Sequence, residues 1–386
     1  MHFHKIEMNN PNKIRLPDLE ALWKWPRQVS PHLAEVEEEC LEWSASFSAF
    51  DAETHRLVHD KGKLKQVRSG CDIMHLFFMF DEYSDKSGPE EVWEQARIQM
   101  DAFANPHSPR PVGEWVGGEF TRQFWNRLPR DATPTFKRRF LATWLDYVES
   151  VAQQAELRSQ SRIVDLATYF PIRRHTSGAP STIAMYEMDL DIPDAVRRHK
   201  VIVEMETLAV DLIVIANVRY LLPLFPVSPF VLPTYTLAWH TDFTGYHVTI
   251  QMLTGTLQDV LSYNKEQAVG DDEHNLITII MQQFGLGVQD ALDYTGALSR
   301  IKMKRFYALY RRLPRWMGPV GLDVQKLVDG MAQCVSGVMH WSYESERYFG
   351  KRGMEIKASR TLSLLPKVCG DGDGTIGSVQ INDDRL

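Results

Sequence analysis

The chain has 386 residues, 44% of them hydrophobic and 24% charged, enough for one large domain or two medium ones with an ample apolar core. Its net charge of −7 argues against a nucleic-acid binder, which would present a basic face. Cys40, Cys71, Cys334 and Cys369 fit no metal-binding spacing and read as free thiols of a reducing compartment.

The first residues, Met1 to Glu7, carry no apolar signal segment, so a cytoplasmic protein is expected. Over 33–50 and 89–103, apolar residues recur every three or four positions among charges, which predicts helices. Segments 17–26, 105–113 and 312–319 carry Pro or Gly and read as connections. Thr133-Pro134 and Ile192-Pro193 read as helix starts. A helix over 134–160 is expected to bury one stripe: Phe136, Phe140, Leu141, Trp144, Leu145, Val148 and Val151. Another helix runs from Met205 to Ala216. No strand–helix alternation and no internal repeat is found, so the expected architecture is a single all-α domain over 1–366. Residues 367–386 are rich in Gly and Asp and read as a disordered tail. Asp371 and Asp373 there resemble the start of a calcium loop, but its later ligands are missing.

Residues 218–258 do not match their surroundings. Only Arg219 and Asp242 are charged, and four Pro fall between positions 223 and 233. That Pro spacing breaks any helix, and with no flanking charge asymmetry it argues against a membrane span.

Two acidic motifs carry the chemistry. Asp81-Glu82-Tyr83-Ser84-Asp85 follows the apolar run Met74 to Phe80. Asp81 and Asp85 are four apart and share a helix face, a register in which carboxylates bridge Mg²⁺ to a diphosphate. The plainer alternative is a solvated acidic helix end. Ser262 and Glu266 are also four apart, but position 258 holds Gln where an Asn ligand should stand. Without 218–258, Asn217 would join Asp259. Asn217, Ser262 and Glu266 would then lie at i, i+4 and i+8, on one helix running from about Val201 to Val269. Val218-Arg219 can be read from a GT-initiated splice donor and Gln258 from CAG, so 218–258 reads as a translated intron. The alternative is a genuine insertion loop. Arg173-Arg174-His175-Thr176-Ser177-Gly178 adds guanidinium groups suited to phosphate beside a helix-breaking Gly, and Arg347-Tyr348 adds a second donor pair.

In this order the motifs resemble those of class I terpene synthases, most of all the fungal, basidiomycete-type sesquiterpene synthases, over roughly residues 10–365 apart from 218–258. The resemblance implies a helical bundle around a central apolar pocket. It implies Asp81 on Mg²⁺ with Asp85 in support, and Asn217, Ser262 and Glu266 on a further site, with three Mg²⁺ in all. It implies Arg174 as a diphosphate sensor, with Ser177 and Gly178 at the responding helix break. Lys265, Arg347 and Tyr348 would contact diphosphate oxygens, and Phe77 and Trp341 would offer ring faces to a carbocation, although ordinary core packing is the plainer reading of those rings. The implied substrate is farnesyl diphosphate, with no nucleic-acid partner and no stable membrane insertion. The implied product comes from 1,11-closure, as in protoilludene. Two other readings are a chain-elongating prenyl transferase, which normally carries two Asp-rich motifs, and an inactive synthase-derived protein whose metal triad the insertion disrupts.

Overall fold

The computed structural model describes residues 13–26, 39–40, 42–44, 46–47, 65–160, 163–216, 263–264, 266–268, 270, 272, 274–344 and 349–367. They form a helical bundle, as the periodicity predicts. Its helices are α1 (Lys65–Ser84), α2 (Pro89–Ala104), α3 (Gly117–Arg127), α4 (Pro134–Ser159), α5 (Leu166–Thr176), α6 (Ala179–Met185), α7 (Asp194–Arg197), α8 (Lys200–Ala216), α9 (Leu276–Phe284), α10 (Val288–Tyr310), α11 (Pro319–Glu344) and α12 (Gly353–Ser359). Two short strands not foreseen from the sequence, β1 (Lys13–Arg15) and β2 (Thr361–Ser363), pair antiparallel and fasten the two ends of the described chain together.

Local chemistry sets the helix boundaries. Thr133 caps α4 by accepting the Phe136 N–H at 3.1 Å, with Pro134 at the first position, where a missing N–H costs nothing. Asp165 caps α5 through the Thr168 N–H at 2.8 Å. Pro193 stands at the N-cap of α7 rather than inside it. From Leu208 to Ala216 every residue of α8 is buried, so this helix is enclosed on all sides. No described helix is long and apolar enough to cross a membrane.

The stripe on α4 needs one correction. Phe136, Phe140, Trp144 and Val148 are buried, and Leu141 and Val151 pack against the core, but Leu145 is 38% exposed. Tyr147, 2% exposed, takes the inward place instead. Helical geometry turns 100° per residue, so the position one short of Val148 points inward while 145 swings out.

A buried charge cluster joins α4, α7 and α8. Glu187 binds Arg139 and also accepts from Arg197 Nε at 2.6 Å, and Arg197 reaches Glu206 at 2.7 Å. The Glu187 side chain is only 2% exposed, so its removal leaves two guanidinium groups short of counter-charge in a poorly solvated place. Glu187→Ala should therefore cost about 3 kcal/mol of unfolding free energy, seen as a lowered urea midpoint.

Candidate active site

Asp81 lies on the last turn of α1, partly exposed. The Tyr147 hydroxyl on α4 donates to its Oδ1 at 3.3 Å. Burial, with help from the Asp81 and Asp85 carboxylates, pushes the Tyr147 phenol well above its ordinary range. It therefore remains a donor at any working pH. Asp85 follows the end of α1, where Arg158 of α4 binds it at 3.1 Å and also donates to the Ser84 carbonyl at 2.9 Å. The acidic motif is thus braced from α4 at both carboxylates. If Asp81 holds metal as the resemblance implies, Tyr147→Phe should lower turnover about tenfold, the scale of losing a hydrogen bond to a ligating carboxylate. Stability should barely change, and steady-state kinetics over a magnesium titration would check this.

One turn before Asp81, Phe77 is 2% exposed. It stacks on Trp144 at 5.0 Å and meets Tyr147 edge-on at 5.0 Å. Its ring edge also lies against Gly178, where an added Cβ would come within 2.6 Å of Cε1. The structure therefore places Phe77 as a strut between the acidic helix and the α5–α6 break. Trp341 is half-buried on α11.

The break itself is built by Ser177 and Gly178. Gly178 sits at φ +64°, a left-handed conformation that suits glycine, and caps α6. Ser177 Oγ donates to the Arg174 carbonyl at 2.9 Å and accepts the Ala179 N–H at 3.2 Å. Arg174 forks onto Asp211 of α8, with Nε–Oδ1 at 2.6 Å and Nη2–Oδ2 at 3.0 Å. Lys302 of α10 reaches the same Oδ2 at 2.6 Å. Asp211, Lys302, Tyr147 and Arg158 were missed in the sequence. Asp211 had a readable signal, being the only charged residue between Leu208 and Ala216. A lone carboxylate in an apolar helix needs a cation.

Glu266 is 8% exposed, and its Oε2 accepts from Asn275 Nδ2 at 2.8 Å, while Asn275 also caps α9. Its neighbour Asn264 donates to the Ser363 carbonyl at 2.9 Å and accepts the Leu365 N–H at 2.7 Å, which pins this segment to the β2 region. Asn217, Gln258, Ser262, Lys265, Arg347 and Tyr348 lie outside the described residues, as does all of 218–258 and most of the tail, 368–386. Among the described residues no group of three His, Cys, Asp or Glu side chains is gathered tightly enough to hold a metal ion. The structure thus joins the acidic motif to the α5–α6 break through Phe77 and Gly178. The donor chemistry still fits a hard divalent cation, since Asp81, Asp85 and Glu266 offer carboxylate oxygens. A cavity of about 330 Å³ opens near Ala216 and Tyr343, at the C-terminal ends of α8 and α11.

An all-α bundle with an aspartate-rich helix end set against an arginine-bearing helix break defines a class I terpenoid synthase. The solved germacradien-4-ol synthase from Streptomyces citricolor superimposes with a TM-score of 0.61, covering 82% of this chain and 98% of that one, at 17% identity. The family model described as "Terpene synthase family 2, C-terminal metal binding" matches residues 72–217 and 221–305. A Delta(6)-protoilludene synthase of Stereum hirsutum is 39% identical, with 92% of this chain and 88% of that protein covered. A Delta(6)-protoilludene synthase of Armillaria gallica is 36% identical over 92% of this chain and 95% of its own. The chain belongs to terpene synthase family 2, and within it to the fungal class I sesquiterpene synthases. It is a terpene cyclase that takes an isoprenoid diphosphate and a divalent metal.

Proposed function

We propose that the chain ionises farnesyl diphosphate and closes the resulting allylic cation between carbons 1 and 11, toward a protoilludene-type skeleton. The observation that carries this is the direct contact between Phe77, one turn before Asp81, and Gly178, at the break beside Arg174. It links the element that would hold metal to the element that would sense the leaving group. The names of the relatives support the ring-closure mode.

Asp81, with Asp85 in support, would hold one part of a three-Mg²⁺ set, and Asn217, Ser262 and Glu266 the other. Bound Mg²⁺ supplies electrostatic stabilisation of the departing diphosphate. The C–O bond breaks with its electron pair leaving on diphosphate, and Arg174, Lys265, Arg347 and Tyr348 hold those oxygens. Closure of the site keeps water from the cation, and a proton lost at the end leaves the hydrocarbon. Phe77 and Trp341 are the candidate aromatic faces. The catalytic domain spans 1–366, with 367–386 as a tail, and 218–258 is a translated intron. The family match pauses after Asn217 but resumes at Leu221 and runs through 258, so it marks the left edge of that segment and does not set the rest of it apart.

Incubation with farnesyl diphosphate and Mg²⁺, followed by gas chromatography–mass spectrometry, tests this reading. A 1,11-derived sesquiterpene is expected, and Asp81→Ala should abolish it. A product closed between carbons 1 and 10, or release of a longer prenyl diphosphate, would replace the reading with another cyclisation mode or with chain elongation.

A further inference from the structure

The Asp211 carboxylate carries two cations, and only one of them belongs to the expected diphosphate-binding set. Its side chain is 2% exposed, so its charge needs a partner at all times. Arg174, on α5, holds it through Nε and Nη2. Lys302, on α10, holds Oδ2 from another side. Both cations also sit over the Phe170 ring, Lys302 Nζ at 4.8 Å and the Arg174 guanidinium carbon at 5.9 Å. The Arg174 side chain is 33% exposed and the Lys302 side chain 15%. Among the described residues, Arg174 Nη1 makes no hydrogen bond. Arg174 is therefore the outer, partly solvated cation, and Lys302 the inner one.

We infer that Asp211 and Lys302 are positioning residues that form a holding station for Arg174: Asp211 keeps the guanidinium aimed in the empty protein, and Lys302 neutralises Asp211 when the guanidinium turns to an incoming diphosphate. This rests on the reading of Arg174 as a diphosphate contact. The physical need is plain. Moving Arg174 onto a diphosphate strips a buried carboxylate of a bidentate partner, which is costly unless a second cation stays behind. With Lys302 in place, the two states of Arg174 come closer in energy, and ligand binding can shift the population between them. Without Lys302, Arg174 is the sole counter-ion of Asp211, and its release opposes binding.

The test uses the full chain and measures binding of inorganic diphosphate in excess Mg²⁺ by calorimetry, with circular dichroism to confirm folding. Lys302→Gln keeps a donor for Asp211 and removes the charge; affinity should fall about tenfold or more. Lys302→Arg should stay within about threefold of the unaltered chain. Asp211→Asn combined with Lys302→Gln removes the anion that would retain Arg174, so affinity should recover most of the loss. A purely structural role would lower the melting temperature of both variants and give no recovery in the double variant. Unchanged affinity in folded Lys302→Gln, or a double variant no better than the single, overturns the holding station. Arg174→Gln separates the two layers. If it binds diphosphate as well as the unaltered chain, the sensor reading itself fails. If it binds weakly while Lys302→Gln does not, only the station fails. A folded protein that binds no magnesium diphosphate either as the full chain or without 218–258 overturns both for this protein.

Discussion

Deleting residues 218–258 should raise Mg²⁺-dependent diphosphate release from farnesyl diphosphate by about a hundredfold or more, the scale expected when a missing metal ligand and its helix are restored. From Leu208 to Ala216 every residue of α8 is buried, and Asn217 is the next residue in sequence. Helical residues are described again at Tyr263–Asn264 and at Glu266–Ala268, where Glu266 is held by Asn275. In the shortened chain Glu266 stands eight positions after Asn217, two turns and about 80° around a helix, with Ser262 midway. In the longer chain Gln258 stands at the first place in the sequence spacing, with a side chain one methylene longer than that of Asn. A coupled diphosphate assay on both forms, with transcript reads across 217–259, checks the expectation. Equal activity in both forms would make 218–258 a tolerated loop and Gln258 a ligand. Folded but silent protein in both would mark a synthase-derived relic.

What was legible from the sequence was whatever depends on near neighbours. Helical periodicity gave the bundle, and Thr133-Pro134 gave the start of α4, because caps and amphipathic stripes act over one or two turns. The i, i+4 spacing of Asp81 and Asp85 placed them together for the same reason. Distant partners were hidden. Arg158 meets Asp85 across 73 positions and Lys302 meets Asp211 across 91, and no local pattern encodes such pairings. Strands β1 and β2 are three residues each, too short for alternation to show. The stripe on α4 failed at Leu145 because a greasy residue was counted by type, while the packed position at 147 belongs to a tyrosine whose hydroxyl serves Asp81. Phe77 was singled out for its nearness to Asp81, and its second neighbour, Gly178, follows only from the fold.

That contact makes Gly178→Ala the substitution with the next largest expected effect, a loss of roughly 2–5 kcal/mol in stability and a drop in turnover of about a hundredfold, as expected for a misplaced catalytic element. Two separate costs add. A side chain at φ +64° pays about 1–2 kcal/mol of left-handed strain. The new methyl also meets the Phe77 ring at 2.6 Å, and that ring has no room to withdraw, because Trp144 stacks on it and Tyr147 closes on it at right angles. Overpacking of this kind costs about 1–3 kcal/mol. Either Phe77 moves, and carries the turn before Asp81 with it, or the α5–α6 break moves, and takes Arg174 off its station. The two costs separate in a double-mutant cycle with Phe77→Leu, read by urea unfolding and by turnover. Removing the ring edge should return the packing share and leave the backbone share, giving a favourable coupling of about 1–3 kcal/mol. Strictly additive losses would mean that Gly178 is required for its backbone conformation alone, and that the acidic helix and the sensor break do not constrain each other through Phe77.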